Sequence, residues 1–428
     1  MTTDHAQQAP TETRADGPRW APPTYRAALR EPAFARLLPG FALSSLGTGM
    51  SAIAIAWQAL EIASPEWRGV LVGASLAAYE LPAVIGGLGL SRWLGRRRGS
   101  TLLAANCLSR AVFLGAASIL ALVGWLHPIA YLLLLAASSV LVAWGRAGQT
   151  ALIAELLPPD ARLSANALLG GVGWGTMVIG PGLAGVLSAV WGPGLPIGLD
   201  AASYLVLALS LLTVRHLSTD TDRDQVGAVG SPLSALSGLQ GLLRVPMMGW
   251  LLTLTIVVGL VYGPFEVALP VFVNTWPHGG ATALGAMWSA FGIGAIIGST
   301  GAGLLRERPI WPVGVGVAAI WGCCLFTVGL STSLLIASAG LFVAGMVYAP
   351  YPALNITYLQ NNIPPEELAG AAAAWGSLMT LAGPLGFLLG GPLVIGLGAQ
   401  GTLLGVGAAT VILTLSIAAA RAVTLRRR

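Results

Sequence analysis

Five charged side chains lie inside long apolar stretches of this sequence: Glu80, Arg110, Arg146, Asp200 and Glu266. A charge at the centre of a lipid bilayer costs about 2.5 to 3.5 kcal/mol even on the mildest insertion scale. Proteins retain such residues where they pair with one another, carry protons or contact a polar substrate. The five residues are therefore candidates for proton-coupling or gating groups.

Glu80 and Arg110 have two alternative roles. Counting about 1.5 Å per helical residue from the nearest basic loop places both about 15 to 18 Å into the membrane, on neighbouring helices. Glu80 is either a carboxylate that exchanges protons or senses substrate, under the influence of Arg110, or half of a permanent ion pair that only orients two helices.

The other three charges also have structural alternatives. Glu266 is either a cavity carboxylate that attracts cations or an interfacial charge near the end of its helix. Asp200 falls within a few residues of a helix start, where a carboxylate is stabilising without any further function. Arg146 lies close enough to a helix end for its side chain to reach the membrane surface.

Aromatic and amide side chains at similar depth are candidates for lining a substrate cavity. Tryptophans combined with few fixed charges favour a bulky amphiphilic or aromatic ligand over a sugar or a small ion. The alternative for each aromatic residue is a place in the interfacial belt that faces lipid. The cavity candidates are Trp57, Gln58, Tyr79, Tyr262, Asn355 and Tyr358.

Membrane helices must position these residues. Charged residues make up 9% of the chain and hydrophobic residues 55%, and the mean hydropathy is +0.77. About 20 apolar residues are needed to cross a bilayer as a helix. The sequence predicts twelve spans, near 37–60, 69–91, 100–124, 128–151, 164–190, 195–214, 247–273, 281–304, 310–331, 333–357, 370–396 and 401–422.

The two halves of the chain repeat one another. The segment LLPPDARLSANALLGGVGWGTMVIGPGLAG is echoed by NIPPEELAGAAAAWGSLMTLAGPLGFLLGG. Pro158 and Pro364 are 206 positions apart, and Pro181 and Pro384 are 203 positions apart. Many secondary transporters build one site between two such repeated bundles.

The predicted fold is an all-α membrane protein with two pseudo-symmetric bundles of six helices. The first bundle covers 37–218 and the second 240–428, with a short basic tail at its end. A polar tail, 1–36, precedes the first bundle, and a polar linker, 219–239, joins the two.

The arginines predict the orientation of the chain. They follow the second, fourth, sixth, eighth and last spans, whereas the loops on the other side contain only Arg68. Positively charged loops stay in the cytoplasm, so both termini are predicted to be cytoplasmic in a multi-pass plasma-membrane protein. The net charge of +5 is not organised into a basic patch with interleaved aromatics, so no nucleic-acid partner is predicted.

Enzymatic chemistry has little support in the sequence. The chain contains no lysine, and therefore no phosphate-binding loop that ends in Gly-Lys-Ser or Gly-Lys-Thr. Its 4 histidines are scattered, and its 3 cysteines lack the spacing of metal ligands or of a disulfide framework. No catalytic residue, metal site or cofactor is predicted.

Several motifs resemble those of the major facilitator superfamily, in particular its twelve-span exporters of the macrolide-efflux and enterobactin-exporter type. The segment IGPGLAGVL, with Gly180, Pro181 and Gly185, is similar to the Gly-Pro motif of the family's antiporters. Proline removes a backbone donor and kinks a helix, while the glycines allow a neighbouring helix to approach.

Two further matches are partial. The loop GLGLSRWLGRRRGS resembles the family's cytoplasmic signature through Gly95, Arg96 and Arg97, but Arg92 stands where the family has an aspartate. The departure puts the usual charge latch of the cytoplasmic side in doubt. Arg146, in WGRAGQTA, resembles the span 4 arginine that is associated with proton coupling in relatives.

The resemblance implies a proton-coupled secondary exporter of a drug-like, siderophore or secondary-metabolite amphiphile. Its partners are then the small-molecule substrate, protons and the lipid bilayer, and one monomer suffices. The alternative is an energy-independent flippase or facilitator of a lipid-like amphiphile, which a proton-dependent flux would exclude. A third alternative, a membrane receptor or assembly factor on the same scaffold, predicts no flux under any gradient.

Overall fold

In the computed structural model, the described residues are 23–90, 97–214, 232–305 and 307–426, and their long regular elements are all α-helices. Two short helices, Pro23–Leu29 and Pro232–Arg244, lie outside the spans. Spans 1 to 6 are Pro32–Ile62, Arg68–Gly89, Gly99–Leu122, Pro128–Ser139 with Val142–Leu156, Pro159–Trp191 and Gly194–Val214. Spans 7 to 10 are Pro246–Val273, Ala281–Thr300, Ile310–Leu330, and Leu334–Tyr348 with Pro350–Asn362.

Spans 11 and 12 are two helices within Pro365–Arg426, separated at Gly398. Eleven helical stretches of the described ranges are long and apolar enough to cross a membrane, and the last of them has 57 residues. That length is more than twice what one crossing needs. Gly398 interrupts the stretch with a positive φ of 72°, a conformation that glycine adopts without steric cost, so the chain turns back there and makes twelve crossings.

The predicted tail and linker are partly helical. The helix Pro23–Leu29 and the first turn of span 1 fall within 1–36, because Pro32 begins span 1 five residues earlier than expected. Proline is favoured at the first turn of a helix, where its missing N–H is not needed. The helix Pro232–Arg244 overlaps the predicted linker, while 215–231 lie outside the described residues. The domain division therefore stays a prediction.

Span 5 packs on span 8, and span 2 packs on span 11, so these two pairs form the contact between the halves. The contact lies at the end of the molecule where span 1 ends and span 8 begins, which we call the closed face. Ser289 of span 8 donates a hydrogen bond to the carbonyl of Val178 in span 5, at 2.7 Å. Gly285 packs so closely on Pro181 that a Cβ atom would overlap the Pro181 carbonyl oxygen.

The hydrophobic core has a different arrangement at the two ends. One buried cluster at the closed face joins both halves, with Leu114 and Leu135 in the first and Phe265 and Leu284 in the second. At the other end, where span 1 begins and span 12 ends, each half has separate clusters. We call this end the open face, because the halves diverge toward it.

Close glycine crossings occur at matching places in the two halves. A Cβ atom on Gly180 would lie 2.8 Å from the backbone of Gly49, where span 5 crosses span 1. A Cβ atom on Gly386 would lie 2.8 Å from the Cα of Gly263, where span 11 crosses span 7. Small residues allow this approach, which drives helix association in lipid through packing.

These crossings fix the register of the internal repeat. Gly180 and Gly386 occupy equivalent positions and are 206 positions apart. The equivalent of Pro181 is consequently Phe387, and Pro384 lies about one helical turn away, toward the open face. The spacing of 203 between the two prolines does not reflect structural equivalence.

Candidate functional site

A cavity lies between the two halves. It reaches from Arg146 and Gln149 near the open face to Pro181 and Phe387, where the contact between the halves closes it at the closed face. Two adjoining chambers make up the cavity, with volumes of about 530 and 620 Å³, and Glu266 lines both of them. Each chamber is within the usual size range of small-molecule sites.

The chamber against the first half has a polar wall, and we call it the polar chamber. Spans 1 to 6 all contribute to it, and its polar and charged groups come mainly from these spans. They are Ser44, Ser45, Thr48, Tyr79, Glu80, Asn106, Arg110, Arg146, Gln149, Thr176 and Tyr204.

Arg110 is the centre of a buried hydrogen-bond network in this wall. It is only 5% exposed, and its Nη1 donates to the hydroxyls of Tyr79 at 2.7 Å and Tyr204 at 2.9 Å. The guanidinium carbon also lies 4.8 and 5.1 Å from the centroids of the same two rings, within the range of cation–π attraction. Tyr204 exchanges a further hydrogen bond with Thr48, at 2.8 Å, which ties spans 1, 2, 3 and 6 together.

Asp200 is completely buried next to this network, contrary to the expectation of an ordinary carboxylate near a helix start. Span 6 begins at Gly194, so Asp200 lies in its second turn, and Ser51 donates a hydrogen bond of 2.5 Å to Oδ2. Within the described ranges, Oδ1 of Asp200 and Nε of Arg110 have no hydrogen-bond partner, and no ion pair within 4.0 Å joins the two. The sequence indicates how far Asp200 lies along its helix, but it does not indicate the direction in which the side chain points.

Glu80 points into the cavity and does not form an ion pair with Arg110. Its neighbour Tyr79 contacts Arg110 instead, because successive helical residues point about 100° apart and only one of the two can face span 3. The side chain of Glu80 is exposed, and Oε2 lies 3.9 Å from the place that a Cβ on Gly383 would occupy. The carboxylate of one half therefore reaches span 11 of the other half.

The chamber against the second half is lined by aromatic rings, and we call it the aromatic chamber. Trp321 lies at the centre of these rings, with centroid distances of 5.1 Å to Tyr348, 5.6 Å to Tyr262 and 5.8 Å to Phe291. The Tyr262 hydroxyl donates a hydrogen bond of 2.7 Å to Oε1 of Glu266. The cavity thus has one polar wall and one aromatic wall, a combination suited to an amphiphilic ligand.

Comparison with known protein families decides the identity of this scaffold. The sequence model of the Major Facilitator Superfamily matches residues 37–387, which is most of the chain. The chain belongs to the major facilitator superfamily. It is a multi-pass membrane transporter and not an enzyme, and its fold of two helical bundles is that of this superfamily.

Individual relatives cover nearly the whole transporter. An uncharacterized MFS-type transporter, y4rN, of Sinorhizobium fredii is 27% identical over 383 residues, which cover 87% of this chain and 91% of the relative. The multidrug efflux pump Tap of Mycolicibacterium fortuitum is 25% identical, with 84% and 88% covered. The crystal structure of the nucleoside transporter NupG shares the fold, with a TM-score of 0.69 at 15% identity, covering 90% of this chain and 98% of NupG.

The structure places the predicted cavity residues of this transporter in two groups. Tyr79, Tyr262 and Asn355 line the chambers. Trp57 and Gln58 are instead 8% and 4% exposed in the core of the first bundle, because at that depth span 1 has passed the contact that closes the cavity. Tyr358 packs against a core cluster of the second bundle at the open face and is not part of either lining.

The residues that resemble family motifs are described only in part. Gly95 and Arg96 lie outside the described residues, and Arg97 is exposed immediately before span 3. Pro181 and Gly185 lie at the closed face, where Thr282 of span 8 donates a hydrogen bond of 3.3 Å to the Gly185 carbonyl. The Gly-Pro motif therefore forms part of the joint between the halves, together with Gly180 at the crossing with span 1.

Sequence reasoning missed several residues of the site. Tyr204 follows Asp200 by one helical turn, a spacing that places both on one face, and this signal was available. Trp288, Trp321 and Tyr348 had no such signal, because the chain contains 14 tryptophans and hydropathy does not separate those that face a cavity from those that face lipid.

Proposed function

We propose that this transporter is a proton-coupled exporter of a drug-like, siderophore or other secondary-metabolite amphiphile, and that it works by alternating access. The cavity opens toward the cytoplasm in this conformation, and both termini are cytoplasmic. The similarity to a multidrug efflux pump supports export, and the distribution of arginines supports the orientation. One chain encloses the complete cavity, which supports a monomer as the transport unit.

The observation that carries the proposal is the position of Glu80. Its carboxylate lines the cavity, has no ion-pair partner within 4.0 Å among the described residues, and reaches Gly383 of the opposite half. When the halves close around it, the ionised carboxylate loses its contact with water, and burial of an unpaired charge is costly. Closure on Glu80 without substrate therefore favours a protonated carboxylate, so the proton is taken up from the outside and released to the cytoplasm when the open face reopens. In the outward step, bound substrate contacts the ionised carboxylate in place of the proton.

The other charged residues have supporting roles in this proposal. Arg110 and Asp200 hold the first bundle rigid around the polar chamber, Arg110 through the hydroxyls of Tyr79 and Tyr204 and Asp200 through the hydroxyl of Ser51. Arg146 lines the polar chamber close to the open face, where its guanidinium provides a positive charge in the same lining as Glu80.

The Glu80→Gln variant is expected to lose proton coupling. In proteoliposomes, we expect a pH gradient to drive the wild type to accumulate a drug-like probe such as ethidium. The variant cannot exchange a proton at this position, so we expect gradient-driven accumulation to fall about tenfold or more, as for loss of a group with a unique role in proton transfer. Substrate exchange without a gradient continues.

The matched control is Glu61→Gln, which removes an exposed carboxylate at the end of span 1, outside the cavity lining. It is expected to behave as the wild type. Accumulation by Glu80→Gln with the rate and pH profile of the wild type contradicts the assignment of Glu80. A wild-type flux that ignores the pH gradient contradicts proton coupling altogether.

A further inference from the structure

We infer that the aromatic chamber is a subsite for the cationic aromatic part of the substrate, with the Glu266 carboxylate as its counter-ion. The inference names the substrate class for the cavity of the proposed exporter and rests on that function. It concerns equilibrium binding, however, and is tested without any proton gradient.

The charge of the aromatic chamber is that of a single carboxylate. Glu266 is the one charged residue among the described residues of its lining. Its Oε1 accepts the hydrogen bond from Tyr262, whereas Oε2 accepts none within the described ranges, and no Arg side chain there lies within 4.0 Å of either oxygen. A carboxylate that is held in place by one hydroxyl and lacks a cationic partner attracts a cation from the ligand.

The rings around Glu266 reinforce this preference. Tyr262, Phe291 and Tyr348 each contact Trp321 at 5.1 to 5.8 Å between centroids, and all four rings line the chamber. Aromatic faces attract organic cations, and tryptophan does so most strongly. The volume of about 620 Å³ accommodates a ligand with several rings. Charge and shape therefore select for the same class of ligand.

Two buried polar atoms in the same lining point to a polar substituent on this ligand. Trp321 and Asn355 are 4% and 2% exposed, and Nε1 of the first and Oδ1 of the second have no hydrogen-bond partner in the described part of the protein. Native proteins pair nearly all such groups. We therefore infer that the Nε1 donor and the Oδ1 acceptor bind a polar group of the ligand.

An anionic ligand fits this chamber poorly. Its negative charge would face Glu266, while the cavity-lining cations Arg110 and Arg146 belong to the polar chamber. Like charges at close range in a site of low polarity are strongly unfavourable. The two chambers therefore favour an orientation in which the cationic rings enter the second half of the transporter.

Tetraphenylphosphonium and tetraphenylborate test the inference, because they have nearly the same shape and opposite charge. Equilibrium binding of each ion is measured on the purified full-length protein in detergent, at a single pH and therefore without a proton gradient. We expect the wild type to bind tetraphenylphosphonium at least about tenfold more tightly than tetraphenylborate. One close contact between opposite charges, partly screened by solvent, is sufficient for this difference. Equal affinity for the two probes, or binding of neither, overturns the inference.

Variants of the chamber locate the binding. Glu266→Gln keeps the size of the side chain and is expected to weaken phosphonium binding about tenfold, without weakening tetraphenylborate binding. Trp288→Ala, which removes a partly exposed ring from the same lining, is expected to weaken phosphonium binding about fivefold or more through loss of the ring face. Glu61→Gln and Trp125→Phe, which change exposed residues outside both chambers, serve as matched controls.

The outcomes separate this inference from the proposed function. Phosphonium affinity of Glu266→Gln equal to that of the wild type, in a variant with the thermal stability of the wild type, overturns the subsite while leaving proton-driven export by Glu80 intact. Selective phosphonium binding that depends on Glu266 supports the subsite, even where Glu80→Gln retains full coupling and the proposed function fails.

Discussion

The Gly285→Val variant is expected to shift the transporter toward the conformation in which the closed face is open. A side chain at this position would overlap the Pro181 carbonyl and lie against Gly185 of span 5. Overpacking of a close contact costs about 1 to 3 kcal/mol. The two halves can relieve the overlap by moving apart as bodies, so the cost appears as a change in conformational populations of about five- to 150-fold, with little loss of folded protein.

A single reporter cysteine measures this shift. Ser289→Cys places a thiol at the contact between spans 8 and 5, in a background where Cys107, Cys323 and Cys324 are replaced by serine. We expect Gly285→Val to increase the rate of labelling by an impermeant thiol reagent from the closed face by about fivefold or more. Gly170→Val is the matched control, since nothing lies within 4 Å of a Cβ there. Unchanged labelling of Gly285→Val would show that the glycine does not govern closure.

The Arg110→Leu variant is expected to destabilise the first bundle strongly. It removes the hydrogen bonds to Tyr79 and Tyr204 and leaves the fully buried Asp200 without a positive charge nearby. Removing one charge of a buried ion pair costs about 3 to 5 kcal/mol. Because Arg110 and Asp200 are not within 4.0 Å of each other, we expect a loss near the lower value. The measurement is thermal unfolding of the purified protein in detergent.

A double-mutant cycle separates charge from packing in this network. Asp200→Asn in the Arg110→Leu background removes the uncompensated carboxylate, so we expect it to restore about 1 kcal/mol or more of the free energy of unfolding. Asp200→Asn alone is expected to be destabilising, because it leaves Arg110 buried without a counter-charge. An Arg110→Leu protein with the melting temperature of the wild type would contradict the structural role of the network.

The number and approximate ends of the spans were predictable because hydropathy alone identifies a segment that crosses lipid. The breaks within spans were not. Span 4 is interrupted after Ser139 and span 10 after Tyr348, and hydropathy continues across both breaks. The division between spans 11 and 12 was predicted, since the two helices separate at Gly398, between the predicted ranges 370–396 and 401–422.

For the site, the sequence predicts how deep a residue lies in the membrane better than it predicts the direction of its side chain. Glu80, Arg110, Arg146 and Glu266 line the cavity, and their depth in apolar segments was the available signal. Whether a helical residue faces the cavity, the core or lipid depends on contacts with helices far away in sequence. Trp57 was misplaced for this reason, and the ring cluster around Trp321 was overlooked, because twelve similar helices provide no sequence rule for rotation about each axis.

The matching glycine crossings in the two halves have a consequence for changing the ligand range of the transporter. Gly49 with Gly180 and Gly263 with Gly386 form the same close contact twice, whereas the surfaces that face the cavity differ, with hydroxyl and guanidinium groups on one side and rings on the other. The residues that pack the helices are therefore not the residues that line the cavity. Substitutions in one lining can alter the choice of cargo while both glycine crossings stay intact.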